Sequence, residues 1–235
     1  MKAWQTKRFW TSAQGVVSDA GFAVHLDKRA VKTPARRALV VPTMAMAQAI
    51  ALEWDAQQGL VNPNKMPLTR TANSAIDKVA EQFDAVASQL AAYAGTDLLC
   101  YRATGPDPLI LRQAQAWGRV LEWAASSLNA PLTATEGVMH IPQPAASLKE
   151  LSDCLFSMTP FQLAAAHDLI AISGSLVLAL AVTRQYLTPI EAWDLSRIDE
   201  TWQNEAWGID EDAAQLETIK QAAFFDAARF YTLCG

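Results

Sequence analysis

The sequence predicts an α+β protein, with a small β-rich N-terminal domain followed by a larger all-helical C-terminal domain. Two observations support this fold class. Apolar and polar residues alternate in short segments of the first forty residues, which is typical of strands. From Leu68 onward, apolar residues recur mostly at helical spacing. We expect residues 1–60 to form the β-rich domain, which ends in a helix, and residues 61–235 to form the helical domain.

The N-terminal strands include a predicted hairpin. In "GFAVHLDKRAVKT", Phe22, Val24 and Leu26 fall on one face of a strand, and Asp27 begins a turn. The segment "AVKT" then returns as the second arm. A further short strand, "ALVVP", ends at Pro42, because proline cannot donate to a sheet.

A helix follows these strands. Thr43 is a predicted N-cap, and Gly59 is a predicted stop. Met46, Ile50 and Trp54 recur at steps of four residues, which is core spacing on a helix. We therefore expect Trp54 to be a structural residue, mostly buried between the β module and the helices.

The remainder is predicted to be helical, with a short strand at "GVMHI" (137–141). Its most apolar run, Leu169–Thr183, is 15 residues long and falls short of the ~20 residues that cross a bilayer. We interpret it as part of a buried central helix and expect no membrane insertion. The predicted helices are 69–95, 109–128, 147–157, 160–186, 188–206 and 210–233.

Composition excludes several function classes. The chain is 51% hydrophobic and 18% charged, with a formal net charge of −5, so it lacks the basic footprint of a nucleic-acid-binding protein. The first ten residues contain neither a signal peptide nor a transit peptide. Three widely spaced cysteines, Cys100, Cys154 and Cys234, favour a reduced, cytoplasmic chain.

Motifs for catalysis, metal binding and cofactor binding are missing. His25, His140 and His167 lie far apart in sequence, and no phosphate-binding or nucleophile motif is present. His167, at the start of an apolar helix, is best interpreted as a buried histidine with satisfied hydrogen bonds. Cys100 is best interpreted as buried and inert. We therefore predict no catalytic residue, no metal and no cofactor.

The segment "DETWQNEAWG", Asp199–Gly208, combines two tryptophans with three carboxylates. On a continuous helix that advances about 100° per residue, Trp202 joins a core stripe, whereas Glu200 lies on the opposite side between two other tryptophans. Either that second face packs on another element and Glu200 pairs with a basic residue, or the face docks a partner with tryptophan anchors. The stripe comprises Leu195, Ile198, Trp202, Ala206 and Ile209, and the opposite face comprises Trp193, Glu200 and Trp207.

The charged residues of the same region are all acidic. Between Arg197 and Lys220 there is no Lys or Arg, but there are seven acidic residues. Those at 210–212 favour the positive end of the last helix, and the rest create a negative field that could steer a basic partner. The acids are Asp199, Glu200, Glu205, Asp210, Glu211, Asp212 and Glu217.

Sequence blocks along nearly the whole chain resemble the assembly chaperones of the F-type ATP synthase that hold the alpha subunit of its catalytic head. The blocks are "KRFW", "VHLDKRAVKTP", "LVVP", "AIALEWDAQ", "MPLTRTANSAID", "DLLCYRA" and "PLILRQAQAWGRVLEWA". A closing signature follows, formed by Glu200, Trp202, Gln203, Trp207 and Gly208. Lys28 stands where many members have glycine, and "AWGRVLEW" lacks the usual Asp-Pro.

The resemblance implies a non-enzymatic chaperone, and the lack of a transit peptide favours a bacterial, cytoplasmic member of the family. It would bind the unassembled alpha subunit and prevent its aggregation until the alpha subunit meets the beta subunit, without nucleotide. We expect a monomer, because a protein that holds a subunit must later be displaced from it. Glu200, Trp193, Trp207 and Gln203 are the candidate partner-binding residues, and Trp202 is a candidate structural residue.

A second function class remains open at this stage. A small-molecule enzyme could use a cleft between the β module and the helical body, with Asp97, Tyr101 and Arg102 as polar groups. Two alternatives to catalysis remain open for "DLLCYR". One is a tight structural junction in which Asp97 caps a helix or pairs with Arg102, and the other is a role in binding a partner.

Overall fold

The computed structural model describes residues 7–235. The described chain divides into two compact units, the first made of residues 7–83, 159–165 and 229–235, and the second of residues 84–158 and 166–228. Short strands at the N-terminus precede a mostly helical body, which confirms the predicted fold class. The predicted domain boundary at residue 60 stays a prediction.

The first unit contains a small antiparallel sheet built around its second strand. That strand pairs with β1 along one edge and with β3 and β4 along the other. The predicted hairpin is confirmed, and Asp27 adopts a left-handed conformation (φ 53°) in its turn. The strands are β1 (Ala13–Ser18), β2 (Gly21–Leu26), β3 (Arg29–Ala30) and β4 (Val40–Val41).

Helix α1 (Met44–Asp55) packs on this sheet. The predicted cap is confirmed, because the Thr43 hydroxyl accepts a hydrogen bond of 3.1 Å from the Met46 amide. Met46 and Ile50 are fully buried. Trp54 is half-buried against the same core, and its ring lies edge-on to that of Trp10 at 5.3 Å.

The acidic residues at the end of α1 join it to its neighbours. The Glu53 carboxylate accepts hydrogen bonds from the amides of Leu68 and Thr69 at 2.7 and 2.8 Å. It thereby caps α2 (Pro67–Ser74), whose first amides have no partner within the helix. Asp55 accepts from the amide of Ala13 at the start of β1, at 2.9 Å.

The predicted helix 69–95 is not continuous. A wide turn at Ala75–Val79 follows α2, with a hydrogen bond from the Ala80 amide back to the Ala75 carbonyl, five residues earlier. The chain then turns, and α3 (Phe83–Ala91) begins a new helix. The prediction of a single helix was wrong because apolar spacing alone does not reveal a change in the hydrogen-bond register.

Helices dominate the second unit. A short parallel strand pair, β5 (Tyr101–Arg102) with β6 (Thr135–Glu136), is an exception to its helical character. The strand predicted at 137–141 was wrong, and Val138 there is 91% exposed. The helices of the rest of the chain are α4 (Asp107–Ser127), α5 (Ala145–Phe156), α6 (Pro160–Ser173), α7 (Leu176–Thr183), α8 (Pro189–Ser196), α9 (Ile198–Trp207) and α10 (Glu211–Thr232).

The predicted helix 160–186 is interrupted in its most apolar stretch. Gly174, at φ 72°, ends α6, and Ser175 caps α7. A left-handed residue at this place favours glycine and lets the chain change direction. The predicted single central helix was therefore wrong, although α7 is buried. Within residues 7–235, no helix is both long enough and apolar enough to span a lipid bilayer.

Asp97 holds this break in place. Its fully buried carboxylate accepts hydrogen bonds from the Ser175 hydroxyl at 2.7 Å and from the Val177 amide at 3.0 Å, both at the start of α7. It also accepts from the Leu99 amide at 3.0 Å. Burial raises the pKa of Asp97 to about 6, and these hydrogen bonds oppose that shift only in part.

The raised pKa of Asp97 predicts a pH dependence of stability. The folded-state pKa lies above the unfolded one, so the folded state binds more protons between about pH 4 and 6. Deprotonation of Asp97 therefore lowers the free energy of unfolding as pH rises through that range, by up to about 1.4 kcal/mol per pH unit. Urea titrations of wild type and Asp97→Asn should show this slope only in wild type, whereas exposed Asp84→Asn should keep it.

Trp54→Arg should destabilise the first unit. The substitution removes ring contacts with the core and places a charge beside it, at a cost of about 3 kcal/mol. Leu52→Arg is the matched control, because Leu52 lies on the same helix and is 66% exposed. Thermal melts should separate the two variants. Equal melting temperatures for wild type and Trp54→Arg would contradict a structural role for Trp54.

Candidate functional site

The segment that begins after α8 forms the candidate site. The predicted helix 188–206 was wrong, because the chain leaves helical geometry at Arg197 (φ −114°, ψ 15°). This break changes the faces predicted for a continuous helix. Trp193 is only 3% exposed and packs against Phe224, with ring centroids 5.9 Å apart. It does not share an exposed face with Glu200 and Trp207.

Arg197 connects α8, α9 and the end of α6. Its guanidinium donates to the Ile172 carbonyl at 3.1 Å and lies 5.1 Å above the ring of Trp193. It also donates to a carboxylate oxygen of Glu200 at 2.8 Å. Glu200 is thus paired with a basic residue, as the first interpretation expects. Its side chain remains 48% exposed, so it is oriented by Arg197 and still accessible.

Helix α4 fixes the other side of α9. The Arg112 guanidinium donates to both carboxylate oxygens of Glu205, at 3.0 and 2.9 Å, and lies 4.9 Å above the ring of Trp202. These hydrogen bonds lower the pKa of Glu205. The side-chain amide of Gln113 donates to the Asp199 carboxylate at 2.6 Å. A two-point contact such as that between Arg112 and Glu205 fixes the orientation of a helix as well as its position.

Trp202 supports α9 but is not a core residue. It is half-buried under Arg112. Ile209, predicted to share its buried stripe, is 72% exposed. The predicted stripe was wrong beyond Ile198, because the break at Arg197 changes the faces of α9 and because Ile209 lies past the end of α9 at Trp207, where Gly208 adopts φ 90°.

Apolar side chains are exposed along the end of α9 and the first half of α10. Trp207 is 81% exposed, and Leu216 and Ile219 are 59% and 66% exposed. Sequence reasoning missed Leu216 and Ile219, although their spacing on a polar helix was visible. We define the acidic–apolar surface as Glu200, Gln203, Trp207, Ile209, Leu216 and Ile219, all of which are exposed.

Charge is divided unequally between the two units. Among the described residues, the first unit has 11 Lys and Arg against 6 Asp and Glu, a formal charge of +5. The second unit has 7 Lys and Arg against 18 Asp and Glu, a formal charge of −11. The acidic–apolar surface therefore belongs to a unit whose net charge attracts basic partners.

The "DLLCYR" segment has the contacts of a structural junction. Asp97 caps α7, whereas Arg102 donates to the Gln113 carbonyl at 2.5 Å and lies 5.0 Å above the ring of Trp117. An Asp97–Arg102 pair, the other structural alternative, does not form. Burial raises the pKa of the Cys100 thiol to about 12, so the predicted inertness of this cysteine is consistent with its surroundings.

The isolated histidines form no metal cluster with acids or cysteines within residues 7–235. The Tyr101 hydroxyl and His140 Nδ1 lie 3.2 Å apart. The interpretation of His167 as a buried histidine was wrong. Its side chain is 52% exposed, and its Nδ1 lies 2.9 Å from the carboxylate of Asp168.

Comparison with known proteins assigns the family. Residues 7–125 match the family model described as "ATP12 chaperone protein". The chain belongs to this family. The mitochondrial protein atp12 of Schizosaccharomyces pombe is 24% identical over 223 residues, which cover 90% of this chain and 77% of that protein.

Solved structures extend the similarity to the whole fold. Atp12 from Paracoccus denitrificans is 48% identical, with 97% of this chain and 98% of that chain covered and a TM-score of 0.95. The Atu1473 protein of Agrobacterium tumefaciens is 37% identical, with 98% and 87% covered and a TM-score of 0.94. These likenesses extend beyond the residues matched by the ATP12 family model and include α9 and α10.

The structure predicts different roles for two tryptophans of the site. Trp202→Ala should remove the ring beneath Arg112 and destabilise the second unit by about 1–2 kcal/mol. Trp207→Ala, at an 81% exposed position, should change stability by less than about 0.5 kcal/mol. Hydrogen exchange of α9 amides and thermal melts would test this. Equal protection of α9 in both variants would show that Trp202 has no supporting role.

Proposed function

We propose that this chaperone holds the unassembled alpha subunit of the F-type ATP synthase on the acidic–apolar surface. The observation that carries this proposal is the exposure of four large apolar side chains in a stretch, 198–219, that has acidic residues and no Lys or Arg. Exposed apolar groups rimmed by charge are typical of protein-binding surfaces. The family assignment supports a chaperone role, and the resemblance in sequence supports the alpha subunit as the proposed client.

Glu200 is the proposed polar contact for the client. One of its oxygens accepts from Arg197, and the exposed carboxylate can also accept from a cation or an amide of the client. Arg197 is itself held by the Ile172 carbonyl, so the carboxylate is oriented before the client arrives. Such pre-organisation reduces the entropy that binding costs.

Trp207 and Gln203 are the proposed neighbouring contacts, whereas Trp193 has an indirect role in the same proposal. An exposed tryptophan is a common anchor in protein interfaces, because it buries a large area with few rotatable bonds. Trp193 lies beneath Arg197 and therefore supports the orientation of Glu200 from inside the unit.

The same proposal makes the chain a non-enzymatic, cytoplasmic monomer that acts without nucleotide, metal or cofactor. The alpha subunit would be shielded at its assembly surface until it meets the beta subunit. The alternative of a small-molecule enzyme has less support. Of its three proposed polar groups, Asp97 caps α7 and Arg102 binds a backbone carbonyl and stacks on Trp117.

Glu200→Lys tests the function directly. The new cation would face Arg197 and repel a basic client, so we expect binding of the alpha subunit to weaken by at least about 30-fold. The melting temperature should change little, because the Glu200 side chain is half-exposed. The measurements are protection of the purified alpha subunit from aggregation, its co-purification, and the melting temperature of each variant.

Two variants serve as controls for this test. Asp212→Lys makes the same change in net charge at an exposed position outside the proposed contact and should retain most binding. Glu200→Gln keeps the size of the side chain and should give an intermediate loss. Unfolding of Glu200→Lys would instead make Glu200 a structural member of an ion pair, and unchanged binding would contradict the proposed contact.

A further inference from the structure

Strand β1 has an outer edge that pairs with no strand among residues 7–235. It is a six-residue strand, and its known partner is β2 on the inner side. The pairing register runs from Ala13 opposite Leu26 to Ser18 opposite Gly21. The other edge of β2 is occupied by β3 and β4. Strand β1 is therefore an edge strand of this sheet.

The register identifies the main-chain groups that point outward. The Asp27 amide donates to the Ser12 carbonyl at 2.8 Å, so Ser12 is bonded toward β2. Bonded and non-bonded pairs alternate along an antiparallel ladder, which directs the amides and carbonyls of Ala13, Gly15 and Val17 to the outer edge. The Ala13 amide is capped by Asp55 at 2.9 Å. The amides and carbonyls of Gly15 and Val17, farther along β1 than the capped Ala13 amide, therefore point to the outer edge of the sheet.

This edge lacks the usual protection against pairing. Natural edge strands are commonly blocked by lysine, proline, inward-pointing charges or bulges. The sequence of β1, "AQGVVS", contains no charged residue and no proline, and its register with β2 is regular. Val17, near its end, is 75% exposed. An exposed edge of this kind is suited to strand addition.

A groove runs beside the exposed edge. Its cavity volume is about 500 Å³, and it lies between β1 and the outward face of α1. Its bottom is formed by small residues. Gly15 approaches α1 so closely that a Cβ atom there would lie 3.1 Å from the Cβ of Ala47. The lining residues are Ala13, Gln14, Gly15, Gln48, Ala51 and Leu52.

We propose that β1 and α1 form a second client-binding site, which accepts an extended polypeptide segment as an added β-strand. The segment would pair with the exposed amides and carbonyls of Gly15 and Val17. Alternate side chains of the segment would lie in the groove against Ala51 and Leu52. Strand addition of this kind takes its affinity from main-chain hydrogen bonds and its selectivity from alternate side-chain pockets.

The lining of the groove defines the chemistry of the segment. None of the six lining residues is charged, and the two glutamines supply the polar groups. The segment should therefore carry small or apolar side chains at every second position and no charge where it faces Ala51. This site deepens the proposed function and rests on it for the identity of the client.

The test uses the full chain and a fluorescent peptide of about ten residues, with valine and threonine alternating between lysine ends. Val17→Pro removes an outward amide and leaves the bonds to β2 intact. It should weaken peptide binding by at least about tenfold, because the peptide loses its hydrogen bond with the Val17 amide and the adjacent main-chain hydrogen bonds are weakened. Val17→Thr keeps the amide and the branched shape, and should bind within about twofold of wild type.

Two further comparisons separate main-chain pairing from apolar contact. A peptide N-methylated at alternate amides cannot donate to the edge, and should bind at least about tenfold more weakly than its parent. Leu52→Glu places a charge in the groove at a 66% exposed position, and should weaken binding about fivefold while the fold is kept. Circular dichroism and melting temperature confirm the fold of each variant.

Several outcomes would overturn the strand-addition proposal. These are absence of peptide binding to wild type, equal binding of the N-methylated peptide, or equal binding by Val17→Pro. A wild-type dimer that Val17→Pro converts to a monomer would show that a second copy occupies the edge. Binding only after deletion of residues 1–6 would show that the chain covers its own edge.

These experiments test the two proposed client sites independently. Glu200→Lys should keep peptide binding at β1 unchanged while it loses the alpha subunit. If peptide binding fails and the alpha subunit is still held in a Glu200-dependent manner, only the strand-addition site is wrong. If the peptide binds and Glu200→Lys has no effect on the alpha subunit, the proposed function of the acidic–apolar surface is wrong.

Discussion

The second unit depends on one buried carboxylate. Asp97 accepts hydrogen bonds from the Ser175 hydroxyl, the Val177 amide and the Leu99 amide, and thereby fixes the start of α7 beside the 3₁₀ turn that begins at Leu98. A helix that is apolar on all sides has no polar face to determine its orientation. The carboxylate supplies that constraint at a helix end where amides need acceptors, and the cost of burial is visible in its raised pKa.

Arginines connect the neighbouring helices of this unit by a repeated arrangement. Arg102, Arg112 and Arg197 each lie about 5 Å above a tryptophan ring. Each guanidinium also donates to a carbonyl or a carboxylate. A planar cation can stack and donate at the same time, which lysine cannot reproduce. This arrangement explains how tryptophans and carboxylates can share one short segment: the aromatic rings support cations, and those cations orient the acids.

The sequence predicted the presence of helices and strands better than it predicted where they begin and end. The hairpin, the Thr43 cap and the helix over 109–128 follow from local rules, such as alternation, capping preference and apolar spacing. The breaks after Val79, at Gly174 and at Arg197 could not be predicted in this way. Each depends on a partner distant in sequence or on a change in hydrogen-bond register, and apolar spacing can continue across such a break. The predicted faces of 188–209 failed for that reason.

The candidate site was predicted in part. Helical spacing pointed to Glu200 and Trp207, the family resemblance added Gln203, and the structure places all three at the surface. Trp193 was misplaced because the break at Arg197 rotates α9 relative to the assumed continuous helix. The edge of β1 could not be identified from sequence, because an exposed edge is defined by which strand is its neighbour and not by its own residues.

The environments of two cysteines make the chain suited to thiol-labelling measurements. Burial raises the pKa of Cys100, in the second unit, and of Cys234, in the first unit, to about 12. A thiol reacts with alkylating reagents as the thiolate, so the raised pKa slows the reaction of both at neutral pH while their surroundings stay closed, more strongly for buried Cys100 than for half-buried Cys234. Each cysteine becomes reactive when its own unit opens, and the labelling rates of the two sites report the local opening free energies separately. The chaperone thus carries an intrinsic probe in each unit with which to ask which one loosens when a client is bound or released.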